Sequence, residues 1–266
     1  STLRKILKFY RTYPIQAARP ELTWSHLKTL MTVKDKKERI RLEKEIIQKD
    51  WDIRKLQKYL NIKRQLVPAD DNSPIPQLNF TSGRPHIYQI VKAIAPLAAN
   101  HPLVLDLGFR LQDTIPGNEL VLKEQDLVEL IIEQGKITSA EKTQIAKDQL
   151  FTYAAAVKKV VDGDTLVAAL DFKNTFSISQ KMRLRGIDCP ELDTEEGKKA
   201  KRFVEARLKN CEFIIVKTYK DRTDRFDRYL ADIFYLPGVT DESIVAAQGK
   251  YLNQELLDER LAVVYE

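Results

Sequence analysis

Three short segments in the C-terminal half of the chain contain side chains suited to chemistry on a phosphate ester. They are 161–165 (VDGDT), 182–191 (MRLRGIDCPE) and 224–228 (DRFDR). Together they supply the acids Asp164, Asp188 and Glu191 and the bases Arg183 and Arg228. Carboxylates bind hard divalent cations, and guanidinium groups engage phosphate oxygens in pairs. This set of residue types therefore indicates a site that holds a phosphodiester on a metal ion and cleaves it.

The first two acids are the predicted metal ligands. Asp164 opens one predicted strand and Asp188 closes the next, so antiparallel pairing would bring the two carboxylates together. With a carbonyl and waters they would form a calcium site, with magnesium as the alternative. Gly163 allows the tight turn that points Asp164 inward. The other interpretation is a surface turn, in which Asp162 and Asp164 only form the turn.

The arginine of the second segment makes a demand on the backbone. Arg183 precedes Asp188 by five residues, and in a flat strand an odd offset places two side chains on opposite faces. A bulge or sharp bend near Gly186 is therefore required if both are to reach one site. Without such a bend, Arg183 would be an ordinary solvated charge on a strand.

The remaining two groups would act on the substrate itself. Glu191 follows Pro190 in a rigid turn and could polarise or orient a water molecule on the metal. Arg228 begins a predicted strand, and its planar guanidinium could hold phosphate oxygens as charge builds in the transition state.

Composition limits the class of protein. The 266 residues, 43% hydrophobic and 31% charged, indicate a soluble globular chain of about two domains. No apolar run approaches the roughly 20 residues of a membrane span, so we expect no membrane association. Cys189 and Cys211 form no zinc-binding spacing, and we expect both to be reduced thiols in a cytoplasmic bacterial protein.

The net charge of +6 is unevenly distributed. Residues 1–83 contain 18 Lys and Arg against 9 Asp and Glu, residues 84–150 contain 7 against 9, and residues 151–266 contain 19 against 20. Long-range attraction to a polyanion would therefore come from the N-terminal third.

The sequence predicts an α+β multidomain chain. Residues 1–62 form an all-α, helix-turn-helix-like module, with helices over Leu3–Tyr10, from Thr23 or Ser25 onward, over Lys36–Lys49 and after Asp52. Four prolines and Ser82-Gly83 predict a linker over 63–85.

Residues 86–150 are predicted to be a small mixed connecting subdomain. It would have strands over His86–Ile94 and Leu103–Ile115 and a short helix over Asp126–Glu133. The stretch 103–109 is similar to 167–172, so a degenerate duplicate of the C-terminal barrel is the alternative.

Residues 151–266 show the order of an OB-type barrel, five strands with one helix between the third and the fourth. The predicted strands are Thr152–Val161, Thr165–Phe172, Gln180–Ile187, Glu212–Tyr219 and Arg228–Tyr235. A helix is predicted over Glu195–Lys209, and a last helix and strand over Leu252–Glu259 and Leu261–Tyr265.

The same segment resembles the staphylococcal nuclease (thermonuclease, SNase-like) family over about residues 151–265. The similarity lies in the DGDT turn, the RLRGIDCPE strand end, the TDRFDR segment and the closing LNQELL and LAVVY. It implies an OB-fold endonuclease that hydrolyses DNA, and RNA as a second substrate class, with calcium, leaving 3′-phosphates. It also implies that Asp164, Asp188 and the Cys189 backbone carbonyl bind the metal. Glu191 would then act on the attacking water, and Arg183 and Arg228 would clamp the phosphate.

Two residues depart from the family pattern. Cys189 stands where the family often has Thr or Ala, and a thiol near the metal would invite zinc inhibition or oxidation. Arg260 stands where the family usually has a helix-ending glycine, and a left-handed conformation there would cost Arg about 1 kcal/mol.

Residues 3–60 show a second resemblance, to the helical domain of YhcG-type bacterial proteins, carried by 22–27 (LTWSHL) and 51–56 (WDIRKL). It implies DNA binding or homodimerisation through these helices, and the local positive charge favours DNA. A helical bundle for protein contacts is the alternative.

For the whole chain, the alternatives to a nuclease are a non-catalytic OB-fold adaptor that binds nucleic acid and a scaffold that recruits an enzyme.

Overall fold

The computed structural model describes Phe9, Thr12 and residues 21–66, 74–94, 100–117, 121–173, 176–224 and 228–265. The chain divides into two compact units, Ser1–Pro68 and Ala69–Glu266. Among the described residues, no helix is long and apolar enough to cross a bilayer.

The first unit is helical, with α1 (Trp24–Leu30), α2 (Lys36–Gln48) and α3 (Ile53–Leu66). Each helix begins at a polar cap: Thr23 accepts the backbone N–H of His26, Asp35 accepts those of Lys37 and Glu38, and Asp52 accepts that of Lys55. The helix predicted over Leu3–Tyr10 lies outside the described residues except for Phe9. The core of the unit is apolar and consists of Leu22, Leu30, Leu42, Ile46, Trp51, Leu56, Tyr59 and Leu60.

The second unit opens with a five-stranded antiparallel sheet. Its strands are β1 (Ile87–Lys92), β2 (Leu103–Gly108), β3 (Leu111–Asp113), β4 (Leu127–Glu133) and β5 (Lys136–Thr143), in the order β3-β2-β1-β4-β5. The predicted helix over Asp126–Glu133 is wrong. The segment is β4, because its run of Leu, Val and Ile pairs with both β1 and β5 and is largely buried between them.

The C-terminal part is a closed barrel, as predicted. Its strands are β6 (Thr152–Val160), β7 (Thr165–Asp171), β8 (Ser177–Leu184), β10 (Ile214–Thr223) and β11 (Tyr229–Tyr235). They run in the order β10-β6-β7-β8-β11, and the pairing of β10 with β11 closes the barrel. Three short strands accompany them: β9 (Ile187–Asp188), β12 (Lys250–Tyr251) and β13 (Val263–Val264).

Three helices pack on the barrel. α4 (Glu195–Leu208) was predicted, and so was α6 (Leu252–Asp258), whereas α5 (Glu242–Gln248) was missed. Thr194 caps α4, and Asp241 caps α5. Beyond α6, Arg260 takes the left-handed conformation with φ of 53°, as the comparison with the family pattern predicts.

The first sheet repeats the strand order of the barrel. Strands β1 to β5 correspond to β6, β7, β8, β10 and β11, and the corresponding neighbours are paired in both. Among the described pairings, none joins β3 to β5, so the first sheet stays open where the barrel closes. The similar stretches 103–109 and 167–172 coincide, except for their last residues, with parts of β2 and β7, which are equivalent strands. This agreement favours the interpretation of 86–150 as a degenerate duplicate.

The predicted linker 63–85 has structure at both ends. Residues 63–66 belong to α3, and residues 76–83, which we call the strap, lie against the barrel. The Leu78 backbone N–H donates to Gln254 Oε1 at 2.8 Å, and Gln254 Nε2 donates to the Pro76 carbonyl at 3.1 Å. The Phe80 ring packs against Phe234 and Tyr251, with centroids 5.4 and 4.6 Å away. The segment predicted as a linker is therefore, over residues 76–83, part of the packing of the barrel.

Candidate active site

Asp164 is buried at the turn between β6 and β7. The backbone N–H groups of Val161 and Asp162 both donate to the Thr165 carbonyl and close the turn. The role of Gly163 differs from the predicted one, because its φ is not positive. A Cβ there would lie 2.6 Å from Ala200 Cβ and 2.8 Å from Cys189 Sγ. Glycine is therefore needed so that α4 can pack directly on the turn that carries Asp164.

The bend that Arg183 requires lies at Gly186. β8 ends at Leu184, Gly186 has φ of 78°, and β9 then carries Asp188. The bend is held in place, because the Gly186 carbonyl accepts the Tyr265 backbone N–H at 2.9 Å. Residues on β8 and β9 can therefore face the same interior point despite their odd spacing.

One guanidinium joins the two predicted metal ligands. Arg183 Nη1 lies 2.5 Å from Asp164 Oδ1, and Arg183 Nη2 lies 2.6 Å from Asp188 Oδ1. The exposed fractions of the three residues are 9% or less. The structure thus brings Asp164, Asp188 and Arg183 together in one buried cluster.

Further donors surround Asp164. The Cys189 backbone N–H donates to Asp164 Oδ2 at 2.8 Å, and the Thr165 hydroxyl donates to Asp164 Oδ1 at 3.0 Å. Burial above all, together with the nearby charges of Asp162 and Asp188, nevertheless raises the pKa of Asp164 to about 6, although Arg183 acts against this. A cation beside Asp164 would act in the opposite direction, because a nearby positive charge favours the ionised carboxylate.

Arg228 is connected to the same cluster through a hydroxyl. Arg228 Nη1 donates to Thr165 Oγ1 at 2.9 Å, while Arg228 Nε donates to Asp224 Oδ2 at 2.7 Å. A continuous chain of hydrogen bonds thus runs from Arg228 through Thr165 and Asp164 to Arg183. Sequence reasoning missed Thr165 and Asp224 as site residues, although both belong to the segments singled out there. Residues 225–227 lie outside the described part of the chain.

Glu191 and Cys189 complete the predicted set. The Glu191 side chain is exposed, and its backbone is fixed by α4, because the Glu191 carbonyl accepts both the N–H and the hydroxyl of Thr194. A Cβ at Gly197 would lie 2.1 Å from that carbonyl, so α4 also needs glycine at this point. Burial raises the pKa of the Cys189 thiol well above its usual value. The predicted sensitivity of this thiol to zinc or oxidation therefore has no support, because a buried neutral thiol is inert.

The cluster fits a hard divalent ion by the chemistry of its donors. Asp164 and Asp188 offer carboxylate oxygens, and the ordinary preference of calcium and magnesium is for oxygen. Among the described residues, no group of three or more His, Cys, Asp and Glu comes together as a metal site. Carbonyl, water or substrate oxygens would therefore have to complete the coordination.

Comparison with known proteins agrees with this geometry. Residues 181–266 match the family model described as staphylococcal nuclease homologue. The C-terminal domain is an SNase-like OB-fold domain. The matched region includes Arg183, Asp188, Glu191 and Arg228, while Asp164 lies before it. The match does not extend to the helical unit, for which the YhcG-type resemblance remains a prediction.

A relative in Methanocaldococcus jannaschii, itself uncharacterized, is 36% identical over 105 residues. The alignment covers 31% of this chain and 48% of the relative, so the chain spans about half the length of the relative that it matches.

Proposed function

We propose that the SNase-like domain is a metal-dependent phosphodiesterase that hydrolyses DNA, with RNA as a second substrate class. The observation that carries this proposal is the buried cluster in which Arg183 bridges Asp164 and Asp188 while Arg228 reaches it through Thr165. Two acids and two arginines around one interior point are the groups that a metal-assisted attack on phosphorus requires.

Asp164, Asp188 and the Cys189 carbonyl would hold calcium, or magnesium as the alternative. Such an ion supplies Lewis acidity and lowers the pKa of bound water. Arg183 would exchange a carboxylate for a phosphoryl oxygen when substrate enters. Arg228, oriented by Asp224, would stabilise the charge that develops on the pentacoordinate phosphorus.

Glu191 would orient the attacking water and accept its proton. The water oxygen would form a bond to phosphorus as the bond to one ester oxygen breaks, and that oxygen would leave as an alcohol after taking a proton from the solvent. The exposure of the Glu191 side chain suits this role, since substrate and solvent must both reach it. The rigid backbone at Glu191, fixed by the first turn of α4, would limit the positions that its carboxylate can take.

A digestion assay of DNA with calcium, magnesium or EDTA tests the proposal. We expect cleavage by the wild type with a divalent ion, and none in EDTA. Glu191→Gln and Arg228→Ala should each lower kcat at least 100-fold. Thr165→Val should lower it about tenfold through loss of the hydroxyl that joins Arg228 to Asp164, and Thr165→Ser should restore it.

Glu205→Gln and Arg202→Ala are the matched controls, because both residues are exposed on α4. They should cleave like the wild type. Cleavage that persists in EDTA, or that is insensitive to Glu191→Gln and Arg228→Ala, contradicts the proposal.

A non-catalytic adaptor is the second candidate, and one observation favours it. Arg183 already pairs with both acids, so ion pairs hold the cluster together without a cation. An adaptor would bind DNA in the same assay without cleaving it in any divalent ion, and binding would be insensitive to Glu191→Gln.

A further inference from the structure

Helix α3 differs from its neighbour in charge. Over Ile53–Leu66 it contains five Lys and Arg and no Asp or Glu, whereas α2 contains five Lys and Arg and three Glu. The whole helical unit, residues 1–68, has 18 Lys and Arg against 7 Asp and Glu, a net charge of +11. A polyanion is the ligand that complements this charge.

The inner face of α3 is fully used in packing. Leu56, Tyr59, Leu60 and Ile62 are buried in the unit. The Tyr59 hydroxyl accepts from Arg41 Nη2 at 2.6 Å, and Lys63 Nζ donates to Glu38 Oε1 at 2.7 Å. These contacts fix α3 against α2 and leave the opposite face to the solvent.

That outer face has a distinctive composition. Its exposed residues fall at offsets of three, four, seven and eleven, which places them on one side of a helix. We call them the α3 stripe: Arg54, Gln57, Lys58, Asn61 and Gln65. Each is polar and able to donate hydrogen bonds.

Arg, Lys, Asn and Gln, the residue types of the α3 stripe, are the ones that commonly contact base edges in duplex DNA. Arg pairs in a bidentate manner with guanine, and Asn and Gln pair likewise with adenine, in the major groove. Asn and Gln can bond phosphate oxygens too, as Lys and Arg do, but only their amides offer the paired donor and acceptor that an adenine edge requires. Gln57 lies between the cations Arg54 and Lys58, and Asn61 lies one turn beyond, so the α3 stripe offers amides for base edges as well as charge for phosphates.

The connection between α2 and α3 suits this role. Four residues, Lys49 to Asp52, join the two helices, with Asp50 at a φ of 48° and Trp51 buried. A short turn between two packed helices is the helix-turn-helix arrangement, in which the N-terminal residues of the second helix contact the bases. Arg54 and Gln57 lie in the first turns of α3.

We infer that α3 enters the major groove of duplex DNA and that Arg54, Gln57 and Asn61 contact the bases there, with Lys58 at the phosphates. The inference rests on the proposed function only in taking nucleic acid as the partner. It adds that the chain recognises a preferred sequence. Duplex RNA is excluded as the target because its major groove is too narrow for side chains to read. A protein partner is disfavoured because the α3 stripe has no apolar residue to form the centre of an interface.

The test is a selection of random duplex DNA by the full chain carrying Glu191→Gln, in EDTA, so that no cleavage occurs. We expect a sequence motif to be enriched. Gln57→Ala and Asn61→Ala should each lower the preference for the base at one position about tenfold, with binding to unrelated DNA unchanged. Lys58→Ala should weaken binding to all sequences alike. It should also reduce the slope of log affinity against log salt concentration by about the amount that one phosphate contact contributes.

Gln48→Ala is the matched control, an exposed glutamine on α2, and should leave the motif unchanged. Circular dichroism of each variant establishes that the helices remain folded. Selection without an enriched motif, equal effects of Gln57→Ala and Gln48→Ala, or a preference for single strands or RNA would overturn the inference. Cleavage by the wild-type chain, measured separately on unrelated DNA, tests the proposed function independently of these outcomes.

Discussion

At the scale of single residues, the central feature is the pairing of Arg183 with two buried acids. A buried charge that loses its partner costs about 3–5 kcal/mol, because the remaining charges are left uncompensated. In this structure Arg183 pairs with both Asp164 and Asp188 and offsets one of their two negative charges, and the proposed function assigns the same acids to a cation. The guanidinium and the cation therefore stabilise the same pair of carboxylates, and removal of one should increase the dependence on the other.

Arg183→Met tests this relation through thermal stability. Without calcium, the variant should unfold at a markedly lower temperature, since two buried carboxylates then face each other. Added calcium should raise the unfolding temperature of the variant more than that of the wild type, because only a cation can replace the lost charge. Differential scanning calorimetry with and without calcium measures both shifts.

Arg185→Met is the matched control. Arg185 pairs with Asp232, which is fully buried but accepts hydrogen bonds from Tyr219 and Tyr251 and is not a proposed metal ligand. This variant should lose stability without any extra response to calcium. Equal calcium shifts in the two variants would argue against a cation at Asp164 and Asp188.

At the scale of elements, the sequence predicted most of the features that depend on neighbouring residues, such as helix caps and strand patterns. It predicted few of those that depend on contacts between distant segments. The caps Thr23 and Asp52 and the strand pattern of the barrel are local signals, and the structure contains them. The 126–133 segment was predicted as a helix because its length and apolar content suit either element. Its partners β1 and β5, which decide the matter, are not visible in a short window.

The site shows the same division. The acids and arginines were identified from residue type and spacing, and the bend at Gly186 followed from the odd offset between Arg183 and Asp188. The Thr165 hydroxyl was missed, because its partner Arg228 is 63 residues away. The requirement for Gly163 depends on α4, which only the folded chain brings there.

The contact between α2 and α3 allows a prediction of pH dependence. Hydrogen bonds from Arg41, and then Lys63, lower the pKa of Glu38 to about 2, against the effect of burial. A lowered pKa stabilises the folded state above pH 4.5, and this stabilisation is lost as the pH falls towards 2. Glu38→Gln should therefore cost about 1 kcal/mol at pH 6 and almost nothing near pH 2.

Tryptophan fluorescence measures this effect in the full chain, because the only two tryptophans, Trp24 and Trp51, are both in the helical unit. Denaturant unfolding at pH 6, 4 and 2.5 gives the difference between wild type and variant at each pH. Glu21→Gln, at an exposed glutamate of the same unit, is the control and should show no such trend. A constant difference for Glu38→Gln would show that its pairing with Arg41 and Lys63 adds no stability.

At the scale of the whole molecule, the chain places a strongly basic helical unit before an SNase-like domain that is nearly neutral. If the proposals hold, affinity and sequence choice come from the helices and cleavage from the barrel. The boundary between the two parts then lies before the strap, because the strap follows the helices in the sequence but packs on the barrel. A division of the chain at residue 83, suggested by composition, would remove part of the barrel's own structure.

Two truncations test where the boundary lies. A fragment of residues 69–266 keeps the strap, whereas a fragment of 84–266 loses the packing of Phe80 on Tyr251 and the hydrogen bonds to Gln254. The shorter fragment should be less stable by about 2–4 kcal/mol, from lost apolar burial and two lost hydrogen bonds. Circular dichroism during thermal unfolding compares the two fragments, and Phe80→Ala in the longer one should reproduce part of the loss.

Both fragments should bind DNA more weakly than the full chain and with a smaller salt dependence, because both lack the +11 charge of residues 1–68. Identical unfolding temperatures would mean that the strap contributes nothing to the barrel, and DNA affinity equal to that of the full chain would remove the helical unit from nucleic-acid binding.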